Sequence, residues 1–255
     1  GVNYANALAD AQKQGFAEAD PTNDVCGFDA ARKLAILSSI GFRANVTFDD
    51  VLVEGIEKID KSDIQYAKDM GYTIKLLTVA LRQENGIALN VYPAFLPDNH
   101  PLSSVKGAYN AIYVTGNIVD DVMFYGRGAG ALPTASAVMG DVISTAQHIL
   151  NGSTGTGMIM TDTKRIPFYS SLKLQNSYYF RLDVDDVTGV LSQIAAAFAE
   201  NDISICEVVQ KRKTKGLAEL VLITELASRE SILQGEKALQ VLPCMRKVAN
   251  VIRVM

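Results

Sequence analysis

The apolar positions of this chain change period several times, and each change marks an element. From Asp29 to Ile40 they recur every three to four residues, the helical period, with Gly41 as the expected stop. Ser62 to Met70 reads as a second helix, capped by Ser62 and ended by Gly71. Tyr72 to Leu81 and Ile87 to Phe95 are rich in β-branched and aliphatic residues, and the Asn85-Gly86 pair between them predicts a hairpin. Ala108 to Thr115 and Asp120 to Tyr125 predict two more strands around Gly116-Asn117. Thr134 to Leu150 predicts a long helix, with Pro133 near its start, where proline is tolerated. Helices with hairpin-linked strands make an α+β layer.

Beyond Asn176 the order is cleaner. Ser177 to Val184 alternates, with Phe180, Leu182 and Val184 on one face and Arg181 and Asp183 on the other. A helix over Gly189 to Glu200 follows, then strands at Ile203 to Gln210 and Leu217 to Thr224 about the turn Lys213-Thr214-Lys215-Gly216. A helix from Ser228, its cap, to Leu239 and a strand from Val248 to Val254 complete the set. The order β-α-β-β-α-β is the split βαβ pattern of ferredoxin-like domains. Between the parts lies Asn151-Gly152-Ser153-Thr154-Gly155-Thr156-Gly157, whose small residues hold no regular structure. The sequence therefore divides into a domain over 1–150, a linker over 151–176 and a domain over 177–255.

With 255 residues, 48% of them hydrophobic and 20% charged, the chain can bury one or two real cores. The net charge of −4 and the absence of Trp argue against a nucleic-acid binder. Cys26, Cys206 and Cys244 are too scattered for a disulfide framework or zinc site, so a cytoplasmic location with reduced thiols is expected. Two histidines, His100 and His148, make no histidine-rich metal centre, and no metal is expected. No apolar run reaches the roughly 18–20 residues of a membrane span, so no membrane partner is expected. Tyr4, Leu8 and Ala11 recur at helical spacing without an initiator Met. The expectation is a start at or inside a helix, as in a piece of a longer protein or after processing.

One stretch departs from ordinary core patterning. Residues 11–33 run Ala-Gln-Lys-Gln-Gly-Phe-Ala-Glu-Ala-Asp-Pro-Thr-Asn-Asp-Val-Cys-Gly-Phe-Asp-Ala-Ala-Arg-Lys. A loop stiffened by Pro21 carries Glu18, Asp20 and Asp24, and the following helix carries Asp29 and Lys33 at i and i+4, on one face. Ala30, Ala31, Leu34, Ala35 and Leu37 surround Lys33 and suggest partial burial. A lysine among carboxylates is a candidate proton donor, because burial and acidic neighbours act on an ammonium in opposite directions. On spacing alone, a surface Asp29–Lys33 ion pair explains the same residues.

This run resembles the signature of homoserine dehydrogenases. Ala11, three residues, Gly15, an apolar and a small residue, Asp20-Pro21, Asp24, an aliphatic residue, Gly27, Asp29, three residues and Lys33 all stand in their places. The likeness continues through Ile74-Lys75-Leu76-Leu77, Tyr92-Pro93, His100-Pro101-Leu102, Asn110-Ala111-Ile112, Phe124 to Gly130 and Leu132 to Val138. It implies NAD(P)H-dependent reduction of L-aspartate 4-semialdehyde to L-homoserine, with Lys33 as the acid/base. It implies Glu18, Asp20, Asp24 and Asp29 as the substrate pocket, and Gly15, Gly128 and Gly130 as positions facing the nucleotide. The family's Rossmann domain and second active-site lysine do not occur in these residues. The nucleotide would therefore be bound mainly by a domain outside them, and this chain alone is expected to be inactive. The run Gly126-Arg-Gly128-Ala-Gly130-Ala131 fits a loose dinucleotide fingerprint, but no second βαβ unit follows, so a Rossmann domain is not expected there.

Residues 178–255 resemble an ACT domain, on Leu182 to Ser192 and Glu200 to Ile205. That resemblance implies an amino-acid effector, threonine first, held by Asp185, Asp186, Gly189 and Asn201. It also implies feedback control of threonine and methionine biosynthesis, while the dehydrogenase resemblance implies a homodimer or higher homo-oligomer. The alternative function is a non-catalytic amino-acid-binding regulatory protein. A βαββαβ domain that only dimerises is the plainer alternative for the second half.

Overall fold

The computed structural model describes residues 4–15, 17–153, 165–212 and 216–255. Residues 154–164 of the expected linker and 213–215 of the expected turn lie outside these. The amino-terminal pattern folds into α1 (Tyr4–Lys13), the short α2 (Thr22–Val25) and α3 (Phe28–Phe42). Gly41 does not stop α3. The helix continues to Phe42, which packs against the core, and Arg43 takes the left-handed conformation instead, at φ 50°. A short strand, β1 (Leu52–Val53), leads to α4 (Lys61–Asp69). The cap of α4 is Asp60 rather than Ser62: its carboxylate accepts from the Ser62 and Asp63 N–H groups, and Asp63 accepts from the Asp60 N–H in return.

Strands β2 (Tyr72–Gln83) and β3 (Gly86–Pro97) pair antiparallel over their whole length, Tyr72 opposite Pro97 and Gln83 opposite Gly86. The turn is Glu84-Asn85, one residue earlier than the Asn-Gly signal implies, because Gly86 serves another purpose. A Cβ there would lie 2.2 Å from the Pro167 carbonyl oxygen, where the chain packs back against the start of β3. The Ile87 N–H donates to Pro167 and the Tyr169 N–H to Ile87, so residues 165–169 of the expected linker are tied to the first domain. A separate hairpin, β4 (Tyr109–Gly116) and β5 (Asp120–Arg127), precedes α5 (Ala131–Leu150), which starts three residues earlier than expected.

The carboxy-terminal half forms β6 (Gln175–Asp185), α6 (Val190–Ala199), β7 (Ile205–Arg212), β8 (Leu217–Thr224), the two-residue β9 (Ala227–Ser228), α7 (Arg229–Gln240) and β10 (Met245–Val254). Its sheet runs β10-β6-β8-β7, all antiparallel, which is the expected ferredoxin-like order apart from the added β9. Ser228 caps α7 by accepting from the Ser231 N–H at 3.0 Å.

The two halves share one sheet. The end of β10 pairs parallel with β3, Arg253 beside Ala94 and Val254 beside Phe95, while β1 pairs with β3 at Asn90 and Val91. One eight-stranded sheet results. Helices α6 and α7 bury Tyr178, Phe180, Leu182, Leu220 and Leu222 on one face. On the other, α3 covers Ile87, Leu89 and Val91. There α4 packs Tyr66 and Ala67 onto Phe95, Tyr179, Val221 and Ile252, which come from both halves. Phe95 and Tyr179 stack at 4.5 Å across the seam. Each fully buried aromatic of this kind contributes roughly 1.5–3 kcal/mol. Among the described residues no helix is long and apolar enough to cross a membrane.

Candidate functional site

The acidic loop is held from both ends. On its amino-terminal side the Gln12 amide of α1 donates to the carbonyls of Glu18 (3.0 Å) and Ala19 (3.3 Å). The Glu18 N–H donates to the Asp24 carboxylate at 3.2 Å, which folds Glu18 over α2. Asp20 accepts from the Thr22 hydroxyl at 2.6 Å and the Thr22 N–H at 3.2 Å, and these bonds hold its carboxyl below the usual value. Gly27 then turns the chain into α3 at φ 80°, and a Cβ there would press on Val91 at 3.1 Å and Val53 at 3.3 Å. Glycine is required on both counts.

On α3, Lys33 Nζ donates to the Asp29 carboxylate at 2.6 Å. The Lys33 side chain is 61% exposed and that of Asp29 48%. The expected partial burial of Lys33 is therefore not found: Ala31, Leu34 and Ala35 face inward, and Lys33 points away from them. An exposed i,i+4 pair contributes only about 0.3–0.5 kcal/mol, so stability does not require these residue types here. The turn and helix leave the carboxylates of Glu18, Asp20, Asp24 and Asp29 wholly or partly open to solvent, and the Lys33 ammonium sits on that of Asp29. That arrangement can bind an ammonium group and supply a proton to an oxygen beside it.

The three candidate nucleotide-facing glycines differ. Gly15 has φ 73° and open space where a Cβ would be, so a group brought up from outside fits there. Gly130 sits at the start of α5, with φ 126°, and also leaves its backbone accessible. Gly128 is instead packed against its own chain, since a Cβ would fall 1.9 Å from the Asn110 amide nitrogen. The glycine run is a strand-to-helix turn: β5 pairs antiparallel with β4, with no parallel crossover.

In the carboxy-terminal half, Asp185 is already engaged. Arg246 binds both its oxygens, at 2.7 and 2.9 Å, and this pairing raises the arginine's proton affinity further. The Asp186 N–H donates to the Gly216 carbonyl at 2.8 Å, and Gly189 is the left-handed cap of α6. Asn201 lies at the opposite end of that helix, its amide donating to the Ala197 carbonyl at 2.8 Å. Ten helical residues separate the ends by about 15 Å. Within one copy, then, Asn201 does not join the other three around a single small ligand.

Residues that the sequence did not single out stand behind the acidic turn. Gly55 has no room for a side chain: a Cβ would lie 2.4 Å from the Val25 carbonyl oxygen. Glu54 is bound by Arg253 and Arg229. A second network buries Arg181 among Asp60, Asp63 and Glu219, with Tyr66, Tyr179 and Asn250. The one sequence signal for it is Arg181 on the polar face of an otherwise apolar strand.

Fold and site together define an α+β protein in which an acidic turn and a lysine-bearing helix share a sheet with a ferredoxin-like module. Residues 1–143 match the family described as homoserine dehydrogenase, and residues 178–244 match the ACT domain. The chain belongs to the homoserine dehydrogenase family. It is 42% identical over 264 residues to the homoserine dehydrogenase of Mycobacterium tuberculosis, covering 100% of this chain and 59% of that protein. With that of Bacillus subtilis it shares 39% over 254 residues, covering 98% and 58%. A homoserine dehydrogenase structure from Thiobacillus denitrificans superposes with a TM-score of 0.90 at 33% identity, over 100% of this chain and 59% of that one. The Staphylococcus aureus enzyme at pH 6.0 gives 0.70 at 29% identity, over 100% and 60%. The chain thus spans about 59% of the length of such relatives.

Proposed function

We propose that this chain is the substrate-binding and regulatory portion of a cytoplasmic homoserine dehydrogenase, acting in threonine and methionine biosynthesis. The reaction is reversible reduction of L-aspartate 4-semialdehyde to L-homoserine. The observation that carries this reading is the complete spaced set from Gly15 to Lys33, held on one turn and one helix, with Lys33 Nζ 2.6 Å from Asp29. NAD(P)H, bound mainly by a nucleotide-binding domain, supplies the hydride. Glu18 and Asp24, joined by the Glu18 N–H, offer charge for the substrate's ammonium group. Asp20 shapes the same turn, and Asp29, beside Lys33, binds the substrate together with Glu18. Lys33 passes a proton to the aldehyde oxygen as it becomes an alkoxide, and takes it back in the reverse direction. Gly15 and Gly130 leave backbone open toward the nucleotide.

The ACT module supports control by a small amino acid, threonine first. Because Asn201 lies at the far end of α6, such a site takes Asp186 and Gly189 from one copy and Asn201 from another. A homodimer also suits the exposed apolar side chains of β4–β5 and α5, among them Ile112, Phe124, Val138, Val142 and Ile143.

The decisive measurement is steady-state kinetics on the enzyme assembled with its nucleotide-binding domain. Lys33→Ala is expected to lower kcat by about 10²–10⁴ with a smaller change in KM. Glu18→Ala and Asp29→Ala are expected to act mainly on KM. Wild-type kcat in Lys33→Ala reduces the Asp29–Lys33 pair to a surface ion pair and sinks the mechanism.

A further inference from the structure

The turn that carries Asp24 rests on four residues, Val53 to Ile56. The Ile56 N–H donates to the Val25 carbonyl at 2.9 Å. Gly55 backs directly onto Val25 and Cys26, where a Cβ would come within 2.4 Å of one and 2.7 Å of the other. Val53 fills the space beside Gly27. The platform is itself hydrogen-bonded to the sheet, the Glu54 N–H donating to the Val91 carbonyl at 2.8 Å.

From this platform Glu54 reaches the other half of the molecule. Its carboxylate accepts from Arg253 Nη1 at 2.8 Å, from Arg253 Nη2 at 3.0 Å and from Arg229 Nη2 at 3.2 Å. Arg253 stands on β10, only 5% exposed, with its guanidinium 4.1 Å from the Tyr92 ring centroid. Arg229 is the first residue of α7. A two-pronged, charge-assisted pair of this kind fixes direction as well as distance. The chain is thus continuous in contact from β10 and α7, through Glu54, to Gly55 and Ile56, and on to the Val25–Gly27 turn.

We propose that Glu54 is a positioning residue for the substrate pocket: clamped by Arg253 and Arg229, it holds the acidic turn in register with the carboxy-terminal module. The inference rests on the reading of residues 18–33 as the substrate site. It follows because carboxylates that bind an ammonium group lose affinity when displaced by about an ångström. Glu54 acts through Gly55 and Ile56, which back the turn bearing Asp24, and so on substrate binding rather than on proton transfer by Lys33.

The test compares substrate KM with kcat in the enzyme assembled with its nucleotide-binding domain. Glu54→Gln is expected to raise KM for aspartate semialdehyde about tenfold, change kcat less than threefold and leave KM for the nucleotide within twofold. The double variant Glu54→Gln/Arg253→Met removes the buried charge together with its partner. It is expected to raise KM no further than the single variant, as members of one unit behave. Arg229→Met removes only the rim of the clamp and is expected to raise KM two- to threefold. A KM within twofold of wild type in a folded Glu54 variant overturns the proposal. If neither Glu54 variant folds, Arg229→Met decides, and an unchanged KM there overturns it. Lys33→Ala measured alongside separates the two ideas. A collapsed kcat there with unchanged KM in the clamp variants removes the positioning role alone, whereas a full kcat there removes the catalytic reading.

Discussion

Asp63 and Lys33 each stand in an ion pair, with opposite energetic weight. Asp63 is completely buried and accepts from Arg181 Nε at 2.7 Å, Asn250 at 2.7 Å and the Tyr179 hydroxyl at 3.2 Å. Burial pushes the Tyr179 hydroxyl far up, and the Asp63 charge pushes it the same way, so it remains a donor. Removing one partner strands a buried guanidinium. Asp63→Asn is expected to cost roughly 3–5 kcal/mol in urea unfolding. Lys33→Met, which deletes an exposed pair, is expected to cost less than about 0.5 kcal/mol in the same measurement. A small loss at Asp63 would mean that Asp60 and Glu219 alone satisfy Arg181.

At the scale of elements, caps and close approaches decide where the chain turns. The Ser228 side chain closes the start of α7, so Ser228→Ala is expected to lower stability by about 1 kcal/mol. Asp60 has two tasks, since it caps α4 and also holds Arg181. Asp60→Ala should therefore exceed Ser228→Ala in thermal denaturation, and equal losses would show that the Asp60–Arg181 contact contributes nothing. The helices and paired strands were legible from period and turn chemistry. Two misplacements came where tertiary contact overrode a local rule. Phe42 drew α3 past Gly41, and Gly86 was taken by Pro167 rather than by the turn.

For the whole molecule, the shared sheet predicts cooperative unfolding. Phe95 and Tyr179 belong to different halves of the sequence yet stack in one core, and β10 pairs with β3. A single transition is expected, coincident by fluorescence and circular dichroism, with calorimetric and van't Hoff enthalpies equal. Two separated transitions would show that the seam contributes little. Acid should loosen the same seam. Burial raises the proton affinity of Glu54, but Arg253, Arg229 and Lys58 outweigh it and hold the carboxyl below its ordinary 4.5. Asp60 is likewise held below 3.8, against burial, by the backbone of Asp63 and Ser62 and by Arg181. These carboxylates therefore stabilise the fold fully above those ordinary values. The contribution is lost as pH falls through their lower folded values. The melting temperature should drop on acidification below about 4.5, less steeply in Glu54→Gln, and identical slopes would rule Glu54 out as a source.

The sequence by itself determined the longer helices and strands, the ferredoxin-like order of the second half and the signature from Ala11 to Lys33. All are written in local period, turn residues and fixed spacing. Only the tertiary structure decided that Lys33 is exposed, since a helix face is inward or outward only relative to what packs on it. The structure also joined Asp185 to Arg246, two residues whose pairing their spacing along the chain does not reveal. It decided, too, that the two halves form one sheet, with Glu54 between Arg253 and the acidic turn. Those partners lie 199 residues apart in one direction and about 30 in the other. No local pattern encodes such a meeting, because it arises only when distant strands pair and remove the charges between them from water.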